Sequence, residues 1–547
     1  MAVRTGKVIM AQKIRMDRGY KNVISYDEDE IVTLLTNNAV AVFNNCSFTK
    51  PGENVITIEM SYGNAIKCNY VGFQNPDYSN KWFFAFIDEI EYIADDTVNV
   101  HYTIDEFSTW YSYWSPEPCF VEREHVNVDT IGANVIPEPV ELGEYVANAE
   151  KIGVSFAQGS SQDIYCLTSI YAPTDSILSN VNLGTNVCGI PISGAIFAFE
   201  RWDEMAMAVQ QYSANQHLDT ITSAFIIPAG MTDLTNTTDW SRTQYTVGSD
   251  IHHFYKFNGR NLPFSQDVTI TAPTTLNGYT PVNQKLLTSP YMCLVLSNTA
   301  GSSTVLAYEY FSNRSACVLE TVGTPVVGSS IFTFPVNYKG NHDNFIEGIS
   351  GGKFPTLSWS GDAYTNWLTQ NAVNIGMGVL GNVAVGVIGA GAMATGNPLG
   401  AGGIATSVAG IAGQAHELIQ HAVTPEVSVG NVNVGDVLTC MRSNRVFAYP
   451  RSIRYDMAQR IDDFFTRYGY QVNVNKIPNQ FGRTNWNYIK IAPGEDIGIP
   501  SPTGPYSVIS IPPDSMEAIN NIFRAGVTIW HNHANLGNFA LSNPIGS

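Results

Sequence analysis

The chain has 547 residues, of which 44% are apolar and 14% are charged, and its formal net charge is −19 at pH 7. This length predicts two to four domains. The acidic charge is concentrated in residues 1–150, which carry 23 acidic and 10 basic side chains, and this balance argues against binding DNA by neutralising its phosphates.

The first 130 residues are predicted to be mainly β. Residues Lys81–Ile93 are aromatic and β-branched, and Val98–Ile104 alternate apolar with polar side chains after a polar turn at Ala94–Thr97. A period of two is typical of half-buried strands, so the two stretches predict a β-hairpin.

Residues 131–350 are predicted to form a mostly β region, because short apolar runs alternate with clusters of Gly, Pro, Asn and Thr. Strands are predicted at Asp163–Ile170 and Tyr291–Ser297, and a helix is predicted at Met205–Asn215. The pair Asn277-Gly278 is a signal for a tight hairpin.

Two further helices are predicted near the C-terminal end. One covers Asp456–Tyr468, whose apolar side chains fall on one face, and it stops at Gly469. The other begins with Asp514 as its cap and ends at Gly526, before a strand at Val527–Trp530.

The segment from Ala363 to His416 contains no Asp, Glu, Lys or Arg, and a helix is predicted to lead into it at Trp359–Gln370. A dinucleotide-binding fold is one interpretation, because Gly389–Ala394 fits the G-x-G-x-x-A fingerprint. That fold needs a helix directly after the glycines, and Pro398 would break such a helix. The acid expected about 20 residues later is also absent, so this interpretation is rejected.

Two interpretations of the uncharged segment remain. A buried pair of core helices is disfavoured by the lack of a polar stripe and by twelve glycines between Gly376 and Gly413, since each Gly weakens a helix by roughly 0.5–1 kcal/mol relative to Ala. A membrane-active hairpin is favoured. Its first arm, Ala372–Ala394, is long enough to span a hydrocarbon core of about 30 Å, and a turn at Asn397-Pro398 leads to a shorter second arm, Leu399–Ala415.

Four motifs outside this segment carry a family resemblance. They are FQNPDYSNKWFFAFIDEIEY at Phe73–Tyr92, FVEREHV at Phe120–Val126, RIDDFFTRYGYQVN at Arg460–Asn473 and IFRAGVTIWH at Ile522–His531. In this order they resemble the tail knob proteins, also called distal tail tube proteins, of small short-tailed phi29-like bacteriophages. The likeness spans nearly the whole chain and is weakest between about residues 150 and 350.

The resemblance implies a mainly β, α+β fold. Tube-forming domains of the β-barrel or sandwich type would carry a long hydrophobic loop insertion, helical or irregular. The implied parts are an N-terminal tube-wall β domain (1–145), β-rich middle or tip domains (146–355), a hydrophobic membrane-active loop region (356–425) and a C-terminal segment that completes the tube domain (426–547).

The resemblance also implies a structural virion protein at the distal end of the tail, made in the host cytoplasm. It would form a homohexamer that contacts the other tail proteins of the upper tail tube and collar. The hydrophobic loops, placed here at Asn371–Gln414, would plug the tube and then form a pore in the host cytoplasmic membrane. Viral DNA would pass through the lumen without specific binding, and the acids of residues 1–150 are expected to line that lumen. The side chains expected to enter the membrane are Ile375, Met377, Val379, Leu380, Val383, Val385, Val387, Ile388, Met393, Leu399, Ile404, Val408 and Ile411.

No catalytic residue, cofactor or metal site is predicted. By strand parity, Asp88 and Glu91 fall on opposite faces, so they are not expected to form a glycosidase pair, and a solvated or lumen-lining acidic face is favoured. The alternative function is a receptor-binding or cell-wall-degrading tail component, with its activity in residues 150–350.

The histidines and cysteines are predicted to be mainly structural. The pairs His252-His253 and His531-x-His533 lack a third ligand nearby in the sequence. The eight cysteines include no C-x-x-C pair, so buried free thiols are expected. His416 and His421, at the end of the uncharged segment, are one candidate for a pH trigger of loop release.

Overall fold

The computed structural model describes most of the chain on either side of the uncharged segment. The described residues are 5–47, 54–75, 79–154, 156, 164–170, 184–192, 194–214, 217, 220–247, 250–298, 301–326, 330–353, 356–358, 446–483, 485–497, 511–541 and 543. The predicted helix at Trp359–Gln370 lies outside these residues.

Strands dominate the regular structure of the described residues. In chain order they are β1 (Thr5–Ala11), β2 (Asn22–Ile24), β3 (Ala39–Ser47), β4 (Val55–Ile58), β5 (Tyr70–Asn75), β6 (Lys81–Ala94), β7 (Thr97–Ile104), β8 (Cys119–Glu124), β9 (Tyr145–Ala147), β10 (Ile152–Gly153), β11 (Ile164–Ser169), β12 (Thr185–Val187), β13 (Ile190–Ile192), β14 (Ala195–Phe199), β15 (Ile221–Ile227), β16 (Trp240–Val247), β17 (Asp250–Phe257), β18 (Phe264–Ile270), β19 (Met292–Ser297), β20 (Ser303–Leu306), β21 (Cys317–Gly323), β22 (Ser330–Tyr338), β23 (Asn341–Asp343), β24 (Ile349–Lys353), β25 (Thr356–Ser358), β26 (Phe447–Ile453), β27 (Tyr470–Lys476), β28 (Asn487–Ile491) and β29 (Val527–Trp530). The α-helices are α1 (Glu28–Asn37), α2 (Tyr62–Ala65), α3 (Glu106–Trp110), α4 (Trp202–Ala214), α5 (Tyr455–Tyr468) and α6 (Pro513–Ala525). This content confirms the predicted mainly β, α+β fold.

The chain folds into two compact units. The first, here called the terminal unit, comprises Met1–Glu141, Pro281–Lys285 and Asp456–Ser547. The second, the middle unit, comprises Leu142–Thr280 and Leu286–Tyr455. The terminal unit therefore combines both ends of the chain with one short internal segment.

The first sheet of the terminal unit has the strand order β3-β1-β5-β6-β7-β4, and all neighbouring strands are antiparallel. One face of every strand, both edges included, contributes apolar side chains to a single core. These side chains include Val8, Met10, Val40, Phe43, Ile56, Ile58, Val71, Ala85, Val98 and Val100. Because both edge strands line the same core, the sheet curls around it as a half-barrel, which agrees with the predicted barrel-type fold.

The predicted hairpin is confirmed by β6 and β7, which pair antiparallel around a turn at Asp95 and Asp96. Ile87 and Glu89 of β6 face consecutive residues of β7, so Asp88 is an extra residue in a β-bulge. A bulge reverses the alternation of side chains beyond it, because the side-chain period of a strand is two.

The second sheet of the terminal unit has the order β2-β29-β28-β8-β27, so it joins strands from both ends of the chain. Strand β2 runs parallel to β29, and the other neighbours are antiparallel. Helix α6 buries Ile519 and Phe523 in one core with Trp110 and Ile529. The predicted strand Val527–Trp530 is confirmed as β29.

Both predicted C-terminal helices form, with one correction. Helix α5 ends at Tyr468, and Gly469 follows with a φ of 61° and donates its backbone N–H to the Phe465 carbonyl oxygen at 2.9 Å. Helix α6 begins at Pro513, so Asp514 lies in its first turn and is not the cap. Proline suits that first position, because its φ is already helical and it has no N–H to leave unpaired.

The middle unit is mostly β, as predicted. Its sheets in the described residues have the orders β10-β26-β19-β20 with β9 beside β26, β16-β17-β14-β11-β15-β25, β12-β13, and β18-β21-β22-β23 with β24 beside β22. The predictions of strands β11 and β19 and of helix α4 are confirmed. Strand β26 belongs to this unit although it lies in the sequence segment 426–547. The assignment of parts of the chain to tube wall, tip and loop stays a prediction.

Asn277 and Gly278 form a tight turn, but the predicted hairpin does not form. Both residues have a positive φ, and Leu276 and Tyr279 exchange backbone hydrogen bonds of 2.8 and 2.9 Å. The pairing stops at this single bridge. The next hydrogen-bonded pair of a hairpin would be Thr274 with Pro281, and proline has no N–H to donate. The side chain of Asn148 binds the outer edge of the turn, at the Asn277 N–H and the Thr275 carbonyl.

Replacing Gly469 with alanine is expected to destabilise the terminal unit. The new Cβ would lie 2.2 Å from the Glu124 carbonyl oxygen at a φ of 61°, so steric overlap adds to backbone strain. We expect a loss of about 2–5 kcal/mol in the free energy of unfolding, measured by urea titration. The matched control is Gly494→Ala, which has a φ of 86° with open space around the new Cβ and should lose about 1–2 kcal/mol. Equal losses in the two variants would contradict the steric argument.

Candidate functional site

Asp88 and Glu91 lie on the same face of the hairpin, so the parity argument that separated them is wrong. Asp88 accepts a hydrogen bond from Thr103 at 2.7 Å, and Glu91 accepts one from Asn99 at 2.8 Å. Thr103 and Asn99 are an even number of residues apart on β7, so they share a face. The bulge at Asp88 is the physical reason, since it shifts the alternation of β6 by one residue.

The acidic face of the hairpin is a solvated surface. Asp88 pairs with Arg18, and both side chains are partly exposed to solvent. Hydrogen bonds from Asn99 and His101 lower the pKa of the exposed Glu91. A glycosidase needs one carboxylic acid whose pKa is raised by its surroundings, and Glu91 has the opposite shift. The bulge therefore changes the predicted positions of Asp88 and Glu91 relative to each other. The interpretation of these acids as part of an acidic face is unchanged.

The histidines near the C-terminal end contact protein groups. Nδ1 of His531 lies 2.8 Å from Oγ of Ser25, and its ring stacks on Phe481 with centroids 5.9 Å apart. The backbone N–H of Arg15 donates to Nε2 of His533 at 3.0 Å. These contacts tie the end of β29 to the N-terminal residues that follow β1 and β2.

The second histidine pair lies on β17. The backbone N–H of His253 donates to Glu204 at 3.2 Å, and Nδ1 of His252 lies 3.8 Å from the same carboxylate. Nε2 of His253 is 2.5 Å from the guanidinium of Arg242. Across the residues that the structure describes, no group of three or more His, Cys, Asp or Glu side chains could hold a metal ion.

Six of the seven described cysteines are buried and Cys46 is half-buried, and all seven are free thiols. Burial raises the pKa of Cys188 and of Cys317 to about 12. These two thiols therefore stay protonated at neutral pH, and the prediction of buried free thiols is confirmed for six of the seven described cysteines. Cys440 lies outside the described residues.

The predicted membrane-insertion loop Asn371–Gln414, with all its candidate side chains from Ile375 to Ile411, lies outside the described residues, as do His416 and His421. None of the helices in the described part of the chain is both long and apolar enough to cross a membrane.

Motif residues of β8 and β27 meet around a buried carboxylate, Glu138. Its side chain has no exposed surface and pairs with the guanidinium of Arg123 and, at 2.5 Å, with Nζ of Lys285. The backbone N–H of Gln471 donates to the same carboxylate at 2.8 Å. Removing one member of such a buried set leaves an uncompensated charge and costs about 3–5 kcal/mol.

Two further carboxylates fix the short internal segment Pro281–Lys285 in the terminal unit. Asp462 of α5, which is buried, accepts hydrogen bonds from the N–H groups of Val282 and Asn283 at 2.7 and 3.0 Å. Asp129 accepts from the N–H of Gln284 at 3.0 Å. Sequence reasoning missed these acids, although an acid such as Asp462 beside the apolar face of a predicted helix is a usable signal.

The shape of this site depends on aromatic and glycine residues at the C-terminal end of helix α5. The guanidinium of Arg123 lies over the ring of Phe464, 4.7 Å from its centroid, and donates to the Gly469 carbonyl oxygen at 2.5 Å. The hydroxyl of Tyr470 donates to Asp129 at 2.7 Å. The F-F-x-x-Y-G-Y pattern therefore supplies a cation-binding ring, a turn and a hydrogen-bond donor.

His125, next to this cluster, is held as a neutral ring. Its Nδ1 accepts from the N–H of Tyr488 at 2.7 Å, and its Nε2 donates to the Thr466 carbonyl oxygen at 3.0 Å. Burial, together with the nearby charge of Arg483, lowers the pKa of His125 to about 3. Strands β8 and β28 and helix α5 are linked through this one side chain.

Two family models match the chain over most of the terminal unit. The model described as the C-terminal domain of the tail knob protein gp9 of Bacillus phage phi29 matches residues 253–544, which is more than half of the chain. The chain belongs to the phi29 tail knob protein family. The N-terminus of the caudoviral major tail protein matches residues 4–114, so the half-barrel sheet lies in a region similar to a major tail protein.

Relatives of full length support this membership. The tail knob protein gp9 of Bacillus phage phi29 is 23% identical over 559 residues, covering 90% of this chain and 90% of its own. That of Bacillus phage B103 is 21% identical and covers 92% of each chain. The structure of the bacteriophage C1 tail knob protein, gp12, has 14% sequence identity, a TM-score of 0.62 and coverage of 99% and 100%, so the fold is shared. This member of the family is a structural component of a phage tail.

The neutral state of His125 in this tail knob protein predicts a loss of stability in acid. Between pH 6.5 and about 3 the unfolded chain binds a proton that the folded His125 does not, so the free energy of unfolding falls as the pH falls. The loss from this group should reach about 2 kcal/mol at pH 5. It can be measured by urea titration at a series of pH values.

The variant His125→Gln separates this effect from other titrations. Its amide can accept from Tyr488 and donate to Thr466 but does not titrate, so the dependence on pH should flatten between pH 6.5 and 4. The control His342→Gln removes an exposed histidine and should keep the wild-type dependence. An unchanged slope in His125→Gln would show that His125 does not cause the acid sensitivity.

Proposed function

We propose that this tail knob protein assembles as a homohexameric tube at the distal end of the tail, and that its uncharged segment plugs the tube before infection. On ejection the segment Asn371–Gln414 leaves the tube and forms a pore in the host cytoplasmic membrane. The observation that carries this proposal is the run from Ala363 to His416 without an ionisable Asp, Glu, Lys or Arg, in a protein whose family forms phage tails.

The absence of charge fits a segment that enters lipid. Each charged side chain at the centre of a bilayer would cost roughly 2.5–3.5 kcal/mol. Glycine and alanine are abundant between the apolar side chains, so the segment is only moderately hydrophobic. Small residues also permit close helix packing in lipid. Such a composition is compatible with two environments, the protein interior first and the membrane later.

The acidic charge of residues 1–150 fits a tube through which DNA moves. Carboxylates such as Asp88, Glu89 and Glu91 repel phosphates, so DNA that passes a lumen lined by them does not bind. In this proposal the half-barrel sheets of the copies form the wall. Other tail proteins of the upper tube and collar meet its far side, and assembly takes place in the host cytoplasm.

Replacing Asn371–Gln414 with a short Gly-Ser linker tests the membrane function. We expect the variant to assemble like the wild type by analytical ultracentrifugation but to release no dye from liposomes under conditions in which the wild type does. Retained assembly with lost dye release would separate the structural role from the membrane role, and a loss of assembly would contradict the expectation that the segment is dispensable for the tube. Dye release that persists without the segment would contradict the proposal and favour the alternative of receptor binding or cell-wall degradation by residues 150–350.

A single charge in the first arm is a finer test. Gly389→Asp is expected to leave assembly intact and to lower the rate of dye release at least tenfold, because about 2.5–3.5 kcal/mol would be needed to bury the new carboxylate in lipid. Gly389→Ala is the matched control, since it adds a side chain without charge. Equal rates of dye release by the aspartate and alanine variants would show that residue 389 does not lie in the membrane-inserted part.

A further inference from the structure

The two strands that flank the uncharged segment are held in the middle unit to different extents. Strand β25 (Thr356–Ser358) precedes the segment, and strand β26 (Phe447–Ile453) follows it. A segment that leaves the tube stays attached to the protein through these two strands. The pairing of each strand therefore decides which end of the segment is free to move first.

Strand β25 is a short strand at one edge of its sheet. The described strands of this sheet have the order β16-β17-β14-β11-β15-β25, and Thr356–Ser358 pair antiparallel with residues 223–225 of β15. In this order β15 is the neighbour of β25 on one side, and no described strand follows on the other. An edge strand with so short a ladder belongs to the parts of a protein that open locally at low free energy.

The core of the same sheet draws on β11, β14, β15 and helix α4. Its buried side chains include Leu167, Phe197, Ile221 and Tyr212. Strand β11 pairs with β14 on one side and with β15 on the other, so these strands stay joined to one another when β25 leaves. Detachment of β25 therefore opens one edge of the sheet and keeps the ladders that support this core.

Strand β26 is held on both sides. It pairs with β19 along Met292–Ser297 and, at its other edge, with β9 and β10. Ala448 and Ile453 have no exposed surface. Val446, directly before the strand, is also fully buried, and its carbonyl oxygen accepts a hydrogen bond from the N–H of Val154 at 3.0 Å. Removing β26 would break two ladders and expose these side chains, so the C-terminal end of the segment has the stronger anchor.

We propose that β25 is a releasable anchor, which detaches from β15 on ejection so that the uncharged segment leaves the tube from its N-terminal end while β26 stays in its sheet. This inference rests on the proposed release of the segment. The preceding strand β24 ends at Lys353 and pairs with β22 in another sheet, so detachment of β25 frees residues 354–358. These residues add roughly 17 Å of reach, since an extended chain spans about 3.3–3.6 Å per residue. That distance is more than half of a hydrocarbon core of about 30 Å.

A reversible crosslink in the full-length protein tests this anchor. Ser223→Cys combined with Ser358→Cys places thiols on directly opposed residues. The Cα atoms of such pairs in antiparallel strands are about 4.5–5.5 Å apart, within the range of a disulfide. We expect the oxidised variant to release dye from liposomes at least about tenfold more slowly than the wild type treated with the same oxidant, because β25 can no longer open. Reduction should restore the wild-type rate.

Leu296→Cys combined with Ala448→Cys is the matched control, because it crosslinks opposed residues of β19 and β26. Its oxidised and reduced forms should release dye at the same rate. Two results would overturn the proposal: release at the wild-type rate by the oxidised crosslink of β15 with β25, and equal slowing by both crosslinks.

Hydrogen exchange of the wild type tests the anchor without a membrane. We expect the most protected backbone N–H of β25 to exchange at least about tenfold faster than that of β26, because local opening of a weakly held edge needs less free energy. Equal exchange in the two strands would overturn the releasable anchor even if the protein forms pores. A wild type that releases no dye would contradict the proposed pore, so the two proposals can fail separately.

Discussion

The pairing of the buried Glu138 carboxylate holds the terminal unit together, because it joins parts of the chain that are far apart in sequence. Arg123 comes from β8, Lys285 from the short internal segment and Gln471 from β27. Taking a charge out of water costs several kcal/mol, which close opposite charges and hydrogen bonds must offset. The Glu138 carboxylate therefore fixes the position of each partner. Glu124 and Asp462 fix neighbouring segments in the same way.

The half-barrel follows from a different constraint, the burial of one face of all six strands in a single core. On β1, β5 and β6 the other face of the sheet forms a second core with helix α1, and farther along the hairpin that face carries Asp88 and Glu91. The bulge at Asp88 places both acids on it. One extra residue in β6 thus changes which side chains share a surface, and it does so without disturbing the apolar core below.

In this tail knob protein the terminal unit is held by buried ion pairs and hydrogen bonds, whereas the charge-free segment has no ionisable Asp, Glu, Lys or Arg. Buried ion pairs and hydrogen-bonded loops favour one conformation. A segment rich in glycine and lacking charge has few interactions that are lost when it moves from protein to lipid. This difference in interactions is the physical basis of the proposal that the tube wall keeps its structure while the plug segment leaves the tube.

The sequence by itself determined the mainly β content, the hairpin, helices α4, α5 and α6 and the family, because periodicity, glycine stops and long motifs are local signals. It also determined that residues 363–416 carry no charge. The tertiary structure alone decided the position of the acids, since one bulge overrides strand parity, and it reduced the Asn277-Gly278 signal to an isolated turn. It alone brought Arg123, Glu138 and Lys285 together. Contacts between residues so distant in sequence leave no periodic trace in the chain, so no local pattern could reveal them.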